Sequence, residues 1–147
     1  MSHVAGIDIT VSSSVHSTVA LVDVFLNSGW SINDDKHISY LPLGDEDEFN
    51  WQDDTLESWP KVVEILQEKE KARELIGLVM TWKDTDIGGE FLFFPGMKRL
   101  SVGWNVNRRT LQHCAGFTDH SWYLSRILAP LLQACVVIES IQCYDTV

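Results

Sequence analysis

The sequence predicts an α+β fold: a mostly antiparallel sheet of about five to six strands, helices on one face, order β-α-β-α-β-β-β-α-β. Three observations carry this expectation. A nearly continuous apolar run, Leu75 to Trp82, is followed after short links by Glu90 to Phe94 and by the alternating stretch Leu100 to Val106, the layout of an antiparallel meander. Further segments place apolar residues at helical spacing between the remaining strand-like stretches. The 147 residues are 45% hydrophobic and 10% aromatic, with no repeat or linker, so residues 1–147 are expected to share one core.

Ile7, Ile9 and Val11 alternate with Asp8 and Thr10, the period of a half-buried strand. Ser12, Ser13 and Ser14 offer N-caps for a helix reaching about Asn27, with Val15, Val19, Val22 and Leu26 on one face and Gly29 as its stop. His37 to Leu43 reads as a short strand closed by Pro42 and Gly44. A second helix begins near Ser58 with Pro60 in its first turn and Trp59, Val62, Val63 and Leu66 as its stripe. Its later part, QEKEKARE, is expected to project into solvent. Lys83 to Gly89 reads as a turn, with Gly88 and Gly89 able to take positive φ, and Pro95-Gly96 as another. In the third strand of the meander Ser101, Gly103, Asn105 and Asn107 form a wet face. After an irregular stretch, Thr118 or Asp119 caps a last helix with the stripe Leu124, Ile127, Leu128 and Leu131, kinked or shortened by Pro130. Val136 to Tyr144 supplies the final strand.

A formal charge of −10 and an isoelectric point near 4.7 argue against nucleic acid or an anionic membrane as partner and fit a cationic one. Cys114, Cys135 and Cys143 show no metal-type spacing and read as reduced thiols. No apolar run is long enough to cross a bilayer and no signal-peptide layout opens the chain, so a cytoplasmic location is expected.

The feature that points to function is the run Gly44 to Glu57, GDEDEFNWQDDTLE. Seven carboxylates (Asp45, Glu46, Asp47, Glu48, Asp53, Asp54 and Glu57) are interleaved with Phe49 and Trp51, and no basic residue intervenes. Charge steers an encounter and aromatics supply buried area, so the segment reads as a surface for a cationic partner rather than a plain solvated loop. It is not a calcium loop of the EF-hand type: counting from Asp45, the fifth, sixth and twelfth positions are Phe49, Asn50 and Leu56. His113-Cys114 with Asp119-His120 is the other cluster of reactive side chain types, beside Arg108-Arg109, which could grip an anion. Its spacing matches no zinc pattern, and the plain reading is a polar loop and helix cap, with the arginines offsetting carboxylates. Gly88-Gly89 lacks the companions of a phosphate loop.

On its acidic, motif-poor composition and on residues 44–57, the chain resembles the immunity proteins of bacterial toxin–immunity pairs. The resemblance implies specific binding to a cognate, basic toxin domain, such as a nuclease, with carboxylates standing in for the phosphates of its substrate; no cofactor or metal is expected. Two other readings stay open: a small enzyme built on His113, Cys114, Asp119 and His120, and a structural protein using its tryptophans in a self-interface, so the chain is expected to be a monomer or a small homo-oligomer.

Overall fold

The computed structural model describes residues 3–12, 17–114 and 116–146. Its elements are strand β1 (Val4–Val11), helix α1 (Thr18–Ser28), β2 (Trp30–Ser31), β3 (His37–Tyr40), β4 (Gln52–Thr55), α2 (Trp59–Lys71), β5 (Ile76–Trp82), β6 (Gly88–Phe93), β7 (Arg99–Val106), α3 (His120–Gln133) and β8 (Ile138–Thr146). The α+β class with three helices is as expected. The sheet has eight strands rather than five or six, in the order β4-β3-β5-β6-β7-β1-β8, with β2 pairing on β5. Every pairing is antiparallel. The additional strands are β2, two residues long and too short to show a period, and β4, which lies inside the acidic run where composition suggests only surface.

Register explains the core. Ile7, Val102, Phe91, Leu78 and Tyr40 stand side by side across five strands, and Ile9, Leu100, Phe93 and Ile76 form the neighbouring row. Directly paired residues share a face, so these rows make one continuous apolar surface. The helices cover it. Phe25 of α1 meets Phe91 edge-on at 5.8 Å, Tyr123 of α3 stacks on Trp104 at 3.9 Å, and Val62, Leu66, Ile127 and Leu131 are fully buried. Leu124 and Leu128 are only half-buried. On the opposite face Ser101 and Gly103 are part-exposed and Asn105 is exposed, the wet face the alternation implies.

Helix α1 starts later than expected. Its N-cap is Ser17, whose hydroxyl accepts the Ala20 N–H at 3.0 Å, and its buried stripe is Thr18, Leu21, Val22 and Phe25. Ser13, Ser14 and Val15 lie outside the described residues, while Val19 and Leu26 are half-buried. Asp119 caps α3, accepting the Trp122 N–H. Pro130 sits in its last turn without stopping it. The proline has no N–H for the Arg126 carbonyl, and the Trp30 indole donates to that carbonyl instead, at 2.9 Å.

Two expectations are corrected. Gly88 and Gly89 are strand residues and not a positive-φ turn; the left-handed residue of that turn is Asp84. Glycine is required there by close approach: a Cβ on Gly88 would lie 2.0 Å from the Met80 carbonyl oxygen, and one on Gly89 2.2 Å from that of Gly103. The charged end of α2 faces solvent at Gln67, Glu68, Lys71 and Arg73, as expected, but not at Lys69 and Glu70. Lys69 is 1% exposed and donates to the Pro42 carbonyl at 2.6 Å and to Glu74 at 3.2 Å. Glu70 accepts the Thr18 N–H with both carboxylate oxygens, at 3.0 and 2.9 Å, placing negative charge at the N-terminus of α1. Composition alone reads these residues as solvated, whereas a long lysine stem buries readily when its ammonium is paired. Replacing Lys69 by Met is expected to cost about 1–3 kcal/mol, because the Pro42 carbonyl and Glu74 lose their donor; the midpoint of urea unfolding checks this.

Candidate functional site: an acidic edge of the sheet

Residues 44–57 fold as a loop, the edge strand β4 and a single 3₁₀ turn (Leu56–Ser58) leading into α2. Asp45 organises the loop. It is 6% exposed, and its carboxylate accepts the N–H groups of Phe49 and Asn50, each at 2.9 Å, while its carbonyl accepts that of Glu48. Closing the chain on one carboxylate drives Glu46, Asp47 and Phe49 into left-handed backbone, with φ of 52°, 59° and 58°. The result is a compact bend that presents the side chains of Glu46, Asp47, Glu48 and Phe49 to solvent, Phe49 with 47% of its surface exposed.

Of the two aromatics, Trp51 turns inward. It is half-buried against Leu41 and the bare Cα of Gly77 in β5, with its indole 3.0 Å from where a Cβ on Gly77 would stand. In β4, Asp53 takes the Ser39 hydroxyl at 2.6 Å. Asp54 accepts the Ser58 hydroxyl and the Thr55 N–H, both at 2.8 Å. These hydrogen bonds, the Ser58 hydroxyl foremost, hold the Asp54 carboxyl below its ordinary range, helped by the charge of Lys61. Glu57 is exposed in the 3₁₀ turn. The predicted set is therefore brought to one edge but divides by role. Asp45 and Trp51 build it, Asp53 and Asp54 are hydrogen-bonded along it, and Glu46, Asp47, Glu48, Phe49 and Glu57 face outward.

Beside the loop lies a cleft of about 360 Å³ between Glu46, Asp47 and Phe49 on one side and Arg73, Phe94 and Pro95 on the other. A larger cleft, of about 690 Å³, opens at the far end of β5 and mixes Asp34, Asp35, Asp84 and Asp86 with Lys36 and Lys83 around Trp82. Nothing in the local sequence pattern marks that second cleft, since its walls come from separate turns.

The His/Cys cluster does not converge. An isolated antiparallel bridge joins Thr110 to Thr118; His113 and Cys114 lie exposed between these two threonines in sequence, and Asp119 and His120 follow the bridge. Arg109 pairs with Asp119 at 3.2 Å, and Arg108 donates to the Gly116 carbonyl and the Thr118 hydroxyl, each at 2.8 Å. His120 instead joins a residue that sequence reasoning does not single out, Asp145 of β8. The Asp145 carboxylate accepts the Thr118 hydroxyl at 2.6 Å and lies 2.7 Å from His3 Nε2 and 2.9 Å from His120 Nε2. Burial pushes its carboxyl upward, but the hydrogen bonds from Thr118, His3 and His120 outweigh it and bring it down to about 2. His3 and Asp145 are 142 positions apart, so no spacing rule links them.

Among the described residues no group of three or more His, Cys, Asp or Glu side chains is arranged to hold a metal ion, and no helix is long and apolar enough to cross a membrane. Comparison of the chain with protein-family models, with curated proteins and with solved structures finds no match in any of the three.

Proposed function

We infer that this is a non-enzymatic binding protein that engages a cationic protein partner through the acidic edge of residues 46–57, in the manner of an immunity protein neutralising a basic toxin domain. The observation that carries the reading is the bend built on Asp45. A buried carboxylate holds three left-handed residues so that one exposed phenyl ring stands among three outward carboxylates, beside a cleft. A fixed aromatic loses little side-chain freedom on burial by a partner, and surrounding charge raises the association rate of a basic surface. Glu46, Asp47, Glu48 and Glu57 steer, and Phe49 anchors. The aromatic role falls to Phe49 and not to Trp51, which belongs to the fold.

A gene for a basic toxin domain is expected immediately beside this one, and the test uses that domain as ligand, with binding kinetics at low and at high salt. Neutralising Glu46, Asp47, Glu48 and Glu57 to their amides is expected to slow association about tenfold or more at low salt and to flatten its salt dependence, with unfolding unchanged. Phe49→Ala is expected to act mainly on dissociation, speeding it. Wild-type kinetics in both variants would overturn the assignment of this edge. Absence of any complex with the wild-type protein would overturn the immunity reading itself.

A further inference from the structure

The cleft of about 360 Å³ beside the acidic bend is lined by charges of both signs, and some of them have no partner. Of its four carboxylates, two are committed to the fold. Asp45 holds the N–H groups of Phe49 and Asn50, and Glu74 takes Lys69 and the Gly44 N–H, the latter at 2.8 Å. The other two, Glu46 and Asp47, are exposed, and their carboxylates accept no hydrogen bond among the described residues. On the opposite wall the Arg73 guanidinium reaches the Pro95–Gly96 turn, 3.7 Å from where a Cβ on Gly96 would stand. It pairs with no carboxylate among the described residues, Glu46 and Asp47 included. Lys69, which also lines the cleft, is buried and has three donors for two acceptors, the Pro42 carbonyl and Glu74, so one N–H stays unused. Phe49, Leu75, Phe94 and Pro95 complete the lining with apolar surface.

We propose that this cleft binds a free α-amino acid with an apolar side chain. Its carboxylate lies on Arg73 and the unused N–H of Lys69, its ammonium on Glu46 and Asp47, and its side chain on the apolar lining. Charge selects the ligand. A simple cation drawn to Glu46 and Asp47 leaves Arg73 without a partner, and a simple anion on Arg73 meets two carboxylates across the cleft. A zwitterion answers both walls, and the planar guanidinium suits a carboxylate in two-point contact. A residue inside a peptide carries neither charge at its α-carbon, so the free amino acid is preferred over a chain segment. The volume stands near the lower end of the roughly 300–1,000 Å³ usual for small-ligand sites, which suits a ligand of this size. The site needs no protein partner, although Glu46, Asp47 and Phe49 also belong to the edge proposed above for one.

Titration of the full chain with L-phenylalanine, followed by backbone amide chemical shifts, tests this. Saturable shifts are expected at Glu46, Asp47, Phe49, Arg73 and Phe94. Three analogues each remove one feature: N-acetyl-L-phenylalanine the ammonium, L-phenylalaninamide the carboxylate, and glycine the apolar side chain. Each is expected to bind about tenfold more weakly or worse. Variants then assign the two ends. Arg73→Gln is expected to abolish the preference for phenylalanine over its amide, and Glu46→Gln combined with Asp47→Asn the preference over the N-acetyl form. All three side chains are exposed, so thermal unfolding is expected to stay as in wild type. The absence of saturable shifts with phenylalanine, an analogue that binds as well as phenylalanine, or a preference that survives its variant would each overturn the proposal. No toxin domain enters this assay, so its failure leaves the cationic partner standing, and a missing toxin complex leaves the amino acid site standing.

Discussion

Truncating Phe91 to Ala is expected to destabilise the protein by about 3–5 kcal/mol, among the larger effects of any single core substitution. Phe91 is fully buried at the middle of the sheet's central apolar row. Its ring centre lies 5.0 Å from Trp30, 5.8 Å from Phe25, 6.3 Å from Trp104 and 6.5 Å from Phe93. The neighbours are large rings on separate elements, each fixed by its own contacts, so they collapse poorly into the vacated volume. Equilibrium denaturation checks it. A loss below about 1 kcal/mol would mean that the helices do not seal this row.

Replacing Asp145 by Asn is expected to cost about 2–4 kcal/mol at neutral pH, because a carboxylate that serves Thr118, His3 and His120 together loses its charge and half of its acceptor capacity. The same residue makes an acid-dependent contribution. Its carboxyl is depressed in the folded protein from 3.8 to about 2, so the stability it confers is fully present above the unfolded value and is lost as pH falls from about 4 toward 2. At about 1.4 kcal/mol per unit, the shift amounts to about 2 kcal/mol. The gap in unfolding free energy between wild type and Asp145→Asn is therefore expected to narrow by about that amount on going from pH 5 to pH 2. Curves that stay parallel over this range would assign the acid sensitivity to other carboxylates.

The meander of β5, β6 and β7 is legible in the sequence because each strand declares itself by an apolar run or a strict alternation, and the links between them are short. The last helix is legible for the same reason, since Ile127 and Leu131 lie one turn apart and both are buried. What periodicity cannot reveal is pairing that brings distant segments together: the place of β1 between β7 and β8, or the seating of Lys69 under Pro42. The acidic segment shows both sides. Its charge and its aromatics are visible from composition, but which aromatic faces outward depends on Gly77 in another strand leaving room for Trp51. Asp45 reads as one more surface carboxylate until its hydrogen bonds to Phe49 and Asn50 show it to be the pivot of the loop.

The position of β1 has a consequence for how the molecule is made. β1 is synthesised before every other strand, yet both of its neighbours, β7 and β8, come from the last third of the chain. Ile7 and Ile9 must therefore leave the ribosome without partners and wait while the β5-β6-β7 meander, whose contacts are local, takes shape. Completion of the sheet waits for β8, the last of its strands in chain order. Pairing of β1 between β7 and β8 closes the longest loops in the sheet, so it is expected to follow the local meander and to leave the apolar row of β1 open until then.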